Sequence, residues 1–135
     1  MKFPGIQVGK SHSIRHTVSV SDTHGAHLPD DVQSLLSSPG LVGLMIQASS
    51  ALIEPLLPDG FMSVGKSVSL THEHPSVVGA TVDLTVTITR FDGYHVTLEM
   101  RASDESGLIG TGTHTRSIVN KRWLNVRIHR RLEDL

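Results

Sequence analysis

Alternation between apolar and polar positions begins early in the chain. In SHSIRHTVSV, Ser11 to Val20, the residues Ile14, His16, Val18 and Val20 share one face, which predicts a strand. Residues Ser21 to Ser34 are polar, with Gly25, Pro29 and the paired Asp30 and Asp31, and read as a loop or flap. A connection of that length is more often functional or mobile than a simple turn. The period then lengthens. Leu41, Leu44, Met45, Ala48, Ala51 and Leu52 follow helical spacing, with Val42, Ile46 and Ile53 on the flanks. So wide an apolar face predicts a helix of about 16 residues covered on more than one side. Ser38 suits the N-cap and Pro39 the first helical position, and Pro55 with Pro58-Asp59-Gly60 ends the helix.

Strand signals dominate the rest. Val64, Val68, Leu70, His72 and His74 share one parity of Phe61 to His74, interrupted by Lys66. Residues Thr81 to Arg90 alternate almost without fault, Asp92-Gly93 reads as a hairpin turn, and Val96, Leu98 and Met100 return. Ser106-Gly107 marks another turn before a long strand from Leu108 to Val119, and the basic tail from Asn120 to Leu135 is ambiguous. Strand, flap, one buried helix and four further strands predict a single α+β domain over residues 1–135. In it, an antiparallel sheet of about five strands curls around the helix. Open sheet edges and the apolar helix make a homodimer a reasonable expectation.

Composition narrows the chemistry. With 135 residues and no cysteine, the chain fits one core and excludes disulfide scaffolds, thiolate metal sites and a cysteine nucleophile. Lys plus Arg is 12 and Asp plus Glu is 13, a balance that argues against a nucleic-acid binder. No apolar run approaches the roughly 20 residues of a membrane span, and MKFPGIQVGK lacks a signal-peptide core. A cytoplasmic protein without membrane partners is the expectation. Nine histidines stand out. The pairs His12/His16, His24/His27 and His72/His74 raise a metal site, but no HExxH motif or third ligand at a diagnostic spacing accompanies them, so neither metal nor cofactor is expected.

Three stretches resemble one family. They are SSPGLVGLMIQAS at Ser37 to Ser49, SVGKSVSLTHEHPSVVGATV at Ser63 to Val82, and IGTGTHTRSIV at Ile109 to Val119. Their order and spacing, over roughly Val8 to Val126, resemble the fluoroacetyl-CoA thioesterase-like branch of the hot-dog fold. The resemblance implies a dimer that hydrolyses an acyl-CoA thioester at sites on the subunit interface. By motif position the family's catalytic hydroxyl falls on Ser38, its histidine on His72 and its substrate-approaching glycine on Gly65. The family's helix carboxylate falls on Ile46, which can neither accept a proton nor orient water. Gln47 is rotated about 100° around the helix, Glu54 lies about two turns on, and Glu73 falls on the opposite strand face from His72. The flap from Ser21 to Ser38 is shorter than its counterpart and lacks its aromatic residues, so selectivity for a fluorinated acyl group is not implied.

The residues support this reading from below. Ser38 at a helix N-terminus is either a cap alone or a group that holds a thioester beside unpaired N–H donors. His72, inward on its strand, is either a satisfied core histidine or a base toward water or the carbonyl. Gly40, Ile46, Gly65 and His74 are expected to line the substrate. His114 and Arg116 are expected to be structural. Lys121, Arg122, Arg127, Arg130 and Arg131 form either a solvated end, pinned by Trp123, or donors to coenzyme A phosphates. The expected activity is hydrolysis of a small or medium acyl-CoA by Ser38 and His72. The alternative is a non-catalytic module that holds acyl-CoA or another small ligand.

Overall fold

The structure, a computed structural model, describes residues 3–24, 29 and 33–135. In chain order it contains β1 (Ser11–Thr17), α1 (Ser38–Ile53), β2 (Phe61–His72), β3 (Thr81–Phe91), β4 (His95–Asp104), β5 (Gly107–Asn120) and α2 (Lys121–Glu133). Single turns of 3-10 helix lie at Val20–Asp22 and Glu54–Leu56. All five strands join one antiparallel sheet in the order β1-β3-β4-β5-β2, which leaves β1 and β2 as edges.

One face of the sheet is apolar because the strands alternate. Val82, Leu84, Val86 and Ile88 on β3, and Val96, Leu98, Met100 and Ala102 on β4, are buried against Leu41, Leu44, Met45, Ala48 and Leu52 of α1. On β5 the same face carries Gly110 and Gly112, where side chains would block the helix. A Cβ on Gly112 would stand 2.7 Å from the Ser69 carbonyl oxygen and 3.1 Å from Met45 Sδ. The opposite face is rich in Thr and Ser. Phe3 and Ile6 close the far end of the core, with Phe3 edge-to-face on Phe61 at 5.1 Å. At the Asp92-Gly93 turn the Asp92 carboxylate accepts the His95 and Tyr94 N–H groups and the His95 ring N–H. These contacts hold it well below the usual carboxylate range.

Four expectations change. β1 stops at Thr17, and Val20 turns out into solvent at 75% exposure on the 3-10 turn. The cap of α1 is Ser37, not Ser38: Ser37 Oγ accepts the Gly40 N–H at 2.9 Å. On β2 a bulge between Gly65 and Ser67 shifts the register, so the parity does not run through Lys66. Ser63 and Gly65 lie opposite Ile118 and Arg116, whereas Val68, Leu70 and His72 lie opposite His114, Gly112 and Gly110. All of these face the helix, and Val64 faces away. Finally, the tail is the helix α2, capped by Asn120. Trp123 does not pin it to the body: the ring is 52% exposed, with Arg127 stacked 5.0 Å from its centroid.

Candidate active site

Transfer of the cap to Ser37 frees its neighbour. The Ser37 N–H donates to the Asp22 carbonyl at 2.8 Å, and the Ser37 carbonyl accepts the Leu41 N–H at 3.0 Å. Ser38 Oγ therefore has no capping duty and lies 2.8 Å from His72 Nδ1. His72 is the last residue of β2 and pairs with Gly110, where a Cβ would stand 2.9 Å from Leu41 Cδ2 of the helix. The Ser38 N–H, in the first turn of α1, has no partner among the described residues.

The other ring nitrogen, His72 Nε2, is buried and has no partner among the described residues. Burial holds the His72 pKa below the usual histidine range, and the charge of His24 adds to that effect. The imidazole thus stays neutral, as a base must.

Ser38 and His72 open into a cavity of about 310 Å³, lined also by His24, Leu35 and Leu36 on one wall and Glu73, His74 and Pro75 on the other. Both walls are tied down. Thr23 forms a bridge with Leu36, and Leu35 with Val77. The Leu36 N–H donates to the Ser76 carbonyl at 2.8 Å, and buried Ser76 donates to Asp104 at 2.7 Å. At the base of the flap the Asp22 carboxylate accepts the Ser19 N–H at 2.8 Å and contacts His16 Nε2 at 2.7 Å.

The expected site residues do not all meet. Ser38, His72 and His74 come together. Glu73, expected on the opposite strand face, joins them because β2 has ended: the Glu73 and His74 N–H groups both donate to the Ile109 carbonyl, at 2.8 and 3.2 Å. Gly40 lies outside the cavity, beneath the flap, where a Cβ would stand 2.9 Å from the Asp22 carbonyl oxygen. Ile46 is 38% exposed on α1, two turns beyond Ser38 and outside the cavity.

Gly65 overlies a second polar cluster. A Cβ there would lie 3.7 Å from His114 Nε2 and 4.0 Å from Arg116 Nη1. Arg116, only 7% exposed, donates from Nε to Ser63 Oγ at 2.8 Å and from Nη2 to the Ser63 carbonyl at 2.9 Å. Ser63 in turn gives both its N–H and its hydroxyl to the Glu54 carboxylate. Burial lowers the His114 pKa, assisted by the Arg116 charge. No sequence signal marks this Glu54–Ser63–Arg116 chain, which lies before the bulge and joins partners that are far apart along the chain.

Among the described residues no three ligand-type side chains converge as a metal site would require. His27 lies outside the described residues, so the His24/His27 pairing has no structural counterpart here. No helix among the described residues is long and apolar enough to cross a membrane.

Known proteins resemble this chain in sequence and fold. The sequence pattern described as fluoroacetyl-CoA-specific thioesterase matches residues 18–122. A relative named fluoroacetyl-CoA thioesterase, from Streptantibioticus cattleyicolor, is 29% identical over 91 residues, 67% of this chain and 66% of the relative's length. A solved hot-dog-like protein from Thermanaerovibrio acidaminovorans superposes with a TM-score of 0.90 at 32% identity, over 97% of each chain. A variant of a fluoroacetyl-CoA-specific thioesterase, solved with fluoroacetate and CoA, has a TM-score of 0.79 at 23% identity. It covers 88% of this chain and 99% of its own, a likeness of fold. The hot-dog expectation is met.

Proposed function

The chain belongs to the fluoroacetyl-CoA-specific thioesterase family, and from that premise we propose that it hydrolyses the thioester of a small or medium acyl-CoA, with Ser38 as nucleophile and His72 as its base. The observation that carries this reading is the 2.8 Å contact between Ser38 Oγ and His72 Nδ1 at the mouth of the 310 Å³ cavity. A hydroxyl within hydrogen-bond reach of a neutral imidazole is the elementary form of an activated nucleophile.

The proton movements follow from that contact. His72 Nδ1 takes the Ser38 proton as Oγ bonds to the thioester carbonyl carbon. The unpartnered Ser38 N–H, at the positive end of α1, stabilises the oxygen as it becomes negative. The C–S bond then breaks and the sulfur leaves with the proton held by His72. An acyl group remains on Ser38, and water must remove it. A serine nucleophile does not depend on a carboxylate at position 46, which accommodates Ile46.

Dimerisation fits the same picture. β2 is an unpaired edge, and Val68 faces the helix side while remaining 45% exposed. Two copies related by a twofold axis pair such a strand with itself antiparallel. His72 and the start of α2 lie at opposite ends of β2, roughly 35 Å apart along the strand. Antiparallel pairing therefore brings the second copy's basic α2 towards His72, where its cations would meet coenzyme A phosphates.

Protein mixed with an acyl-CoA, quenched within the first turnover and digested tests the reading. The peptide that carries Ser38 gains the mass of the acyl group. The competing reading, a module that binds acyl-CoA intact, rests on Ile46. It would be adopted if the ester were held without thiol release and Ile46→Glu then conferred turnover.

A further inference from the structure

Resting on the serine-nucleophile reading, we propose that His16 is a positioning residue. It holds Asp22, and through the Asp22 main chain the backbone of Ser37, so that Ser38 Oγ stays within reach of His72. The links are short. His16 lies on β1 opposite Val82, two residues from Ile14 and on its core-facing side, so the sheet sets its backbone. Its Nε2 is 2.7 Å from Asp22 Oδ2. An ionised carboxylate can only accept, so Nε2 carries a proton and donates it. The same Asp22 oxygen accepts the Ser19 N–H at 2.8 Å and the Ser19 hydroxyl at 3.1 Å. Ser19 belongs to the same turn as Asp22, three residues away. His16 supplies the side-chain contact that joins this turn to the sheet, and both His16 and Asp22 are largely shielded from water there.

The Asp22 main chain then meets the start of α1. Its carbonyl accepts the Ser37 N–H at 2.8 Å, immediately before Ser38. The same carbonyl lies over the first helical turn, where a Cβ on Gly40 would stand 2.9 Å from it and 3.0 Å from Ser37 Oγ. Gly40, expected to line the substrate, instead makes room for this anchor. From the other wall the Leu36 N–H donates to the Ser76 carbonyl at 2.8 Å, so two main-chain anchors flank the approach to Ser38.

Ser38 Oγ has His72 Nδ1 as its partner, at 2.8 Å, and its placement otherwise follows from its backbone. A shift of about 1 Å would carry that pair beyond hydrogen-bond range, and misplacement on this scale costs about 100-fold in rate. A contact between β1 and the flap, outside the cavity, thus bears on the reacting oxygen. It also gives His16 a use other than the metal pairing with His12 that its spacing raised.

Kinetics of acyl-CoA hydrolysis together with the 15N resonance of His72 Nδ1 test the proposal, since that resonance reports the hydrogen bond to Ser38. In His16→Ala, kcat is expected to fall about 10- to 100-fold with KM within about twofold of the natural value, because no group that meets the substrate changes. The His72 resonance moves in the same variant, which a loss of global stability alone would not cause. His16→Gln, whose amide N–H replaces the Nε2 donor, recovers most of kcat and returns the resonance. Gly40→Ala presses on the Asp22 carbonyl from the other side and is expected to shift both readouts in the direction of His16→Ala. Should His16→Ala fail to fold, Gly40→Ala carries the test by the same two readouts. In a Ser38→Ala background, His16→Ala costs no further activity. A natural kcat or an unmoved His72 resonance in His16→Ala overturns the proposal. So does a His16→Gln as impaired as His16→Ala, a loss carried by KM, or an undiminished loss in the Ser38→Ala background. If Ser38→Ala alone turns over at the natural rate, the serine-nucleophile reading has failed, and the His72 resonance still decides whether His16 sets the Ser38–His72 contact.

Discussion

Ser38 Oγ reaches His72 Nδ1 at 2.8 Å because the adjacent Ser37 supplies the helix cap. Two neighbouring serines thus divide structural and chemical work. Ser37→Ala removes the cap from the Gly40 N–H and is expected to cost about 1 kcal/mol of stability. Ser38→Ala leaves the cap in place and is expected to shift stability by less than about 0.5 kcal/mol, in the range of exposed substitutions. Urea denaturation of the two variants checks the division.

The glycines along the helix are not equivalent. At Gly112 a Cβ would press on a backbone carbonyl and on Met45, so Gly112→Ala is expected to cost about 1–3 kcal/mol as overpacking. At Gly43, exposed within α1, nothing lies within 4 Å of a Cβ. Gly43→Ala is expected to stabilise by about 0.5–1 kcal/mol through helix propensity. Opposite shifts of the urea midpoint are the expected outcome.

Acid should weaken the fold through two histidines. Burial holds His72 and His114 below the usual histidine range, helped by the charges of His24 and Arg116 respectively. The unfolded chain therefore takes up protons that the folded chain refuses. Their contribution is intact above about pH 6.5 and declines as pH falls through that value towards the lower folded pKa values. His114→Gln should flatten this dependence in denaturation curves measured between neutral and mildly acidic pH.

The edge strand should govern association. Val68→Lys places a charge on the exposed helix-side face of β2 without touching the Ser38–His72 pair. Sedimentation equilibrium is expected to show a dimer for the natural sequence and a monomer for the variant.

Much of the fold was legible in the sequence because its strands alternate and its helix has one long apolar face. Val82 to Ile88 and Leu41 to Leu52 landed where the pattern placed them. The misplaced cap has a simple cause: in Ser37-Ser38-Pro39 either serine satisfies the cap preference, and proline is tolerated at either of the next two positions. The bulge at Lys66 was hidden because Ser63 and Gly65 are small and polar, so the sequence offered no apolar residue to mark the change of face. In α2 the density of cations masked an exposed helical stripe of Ile128 and Leu132. Ser38 and His72 were identified by family resemblance, but their contact spans 34 positions and only the folded chain displays it. His24 was visible only as a member of a histidine pair, since its neighbours in the cavity come from two other segments.

Thiol release from a panel of short and medium acyl-CoA esters by Ser38→Ala, compared with the natural sequence, tests the central claim most directly. The account predicts hydrolysis by the natural protein and a loss of at least about 100-fold in the variant, with the fold intact by circular dichroism. A Ser38→Ala protein that turns over at the natural rate would contradict it.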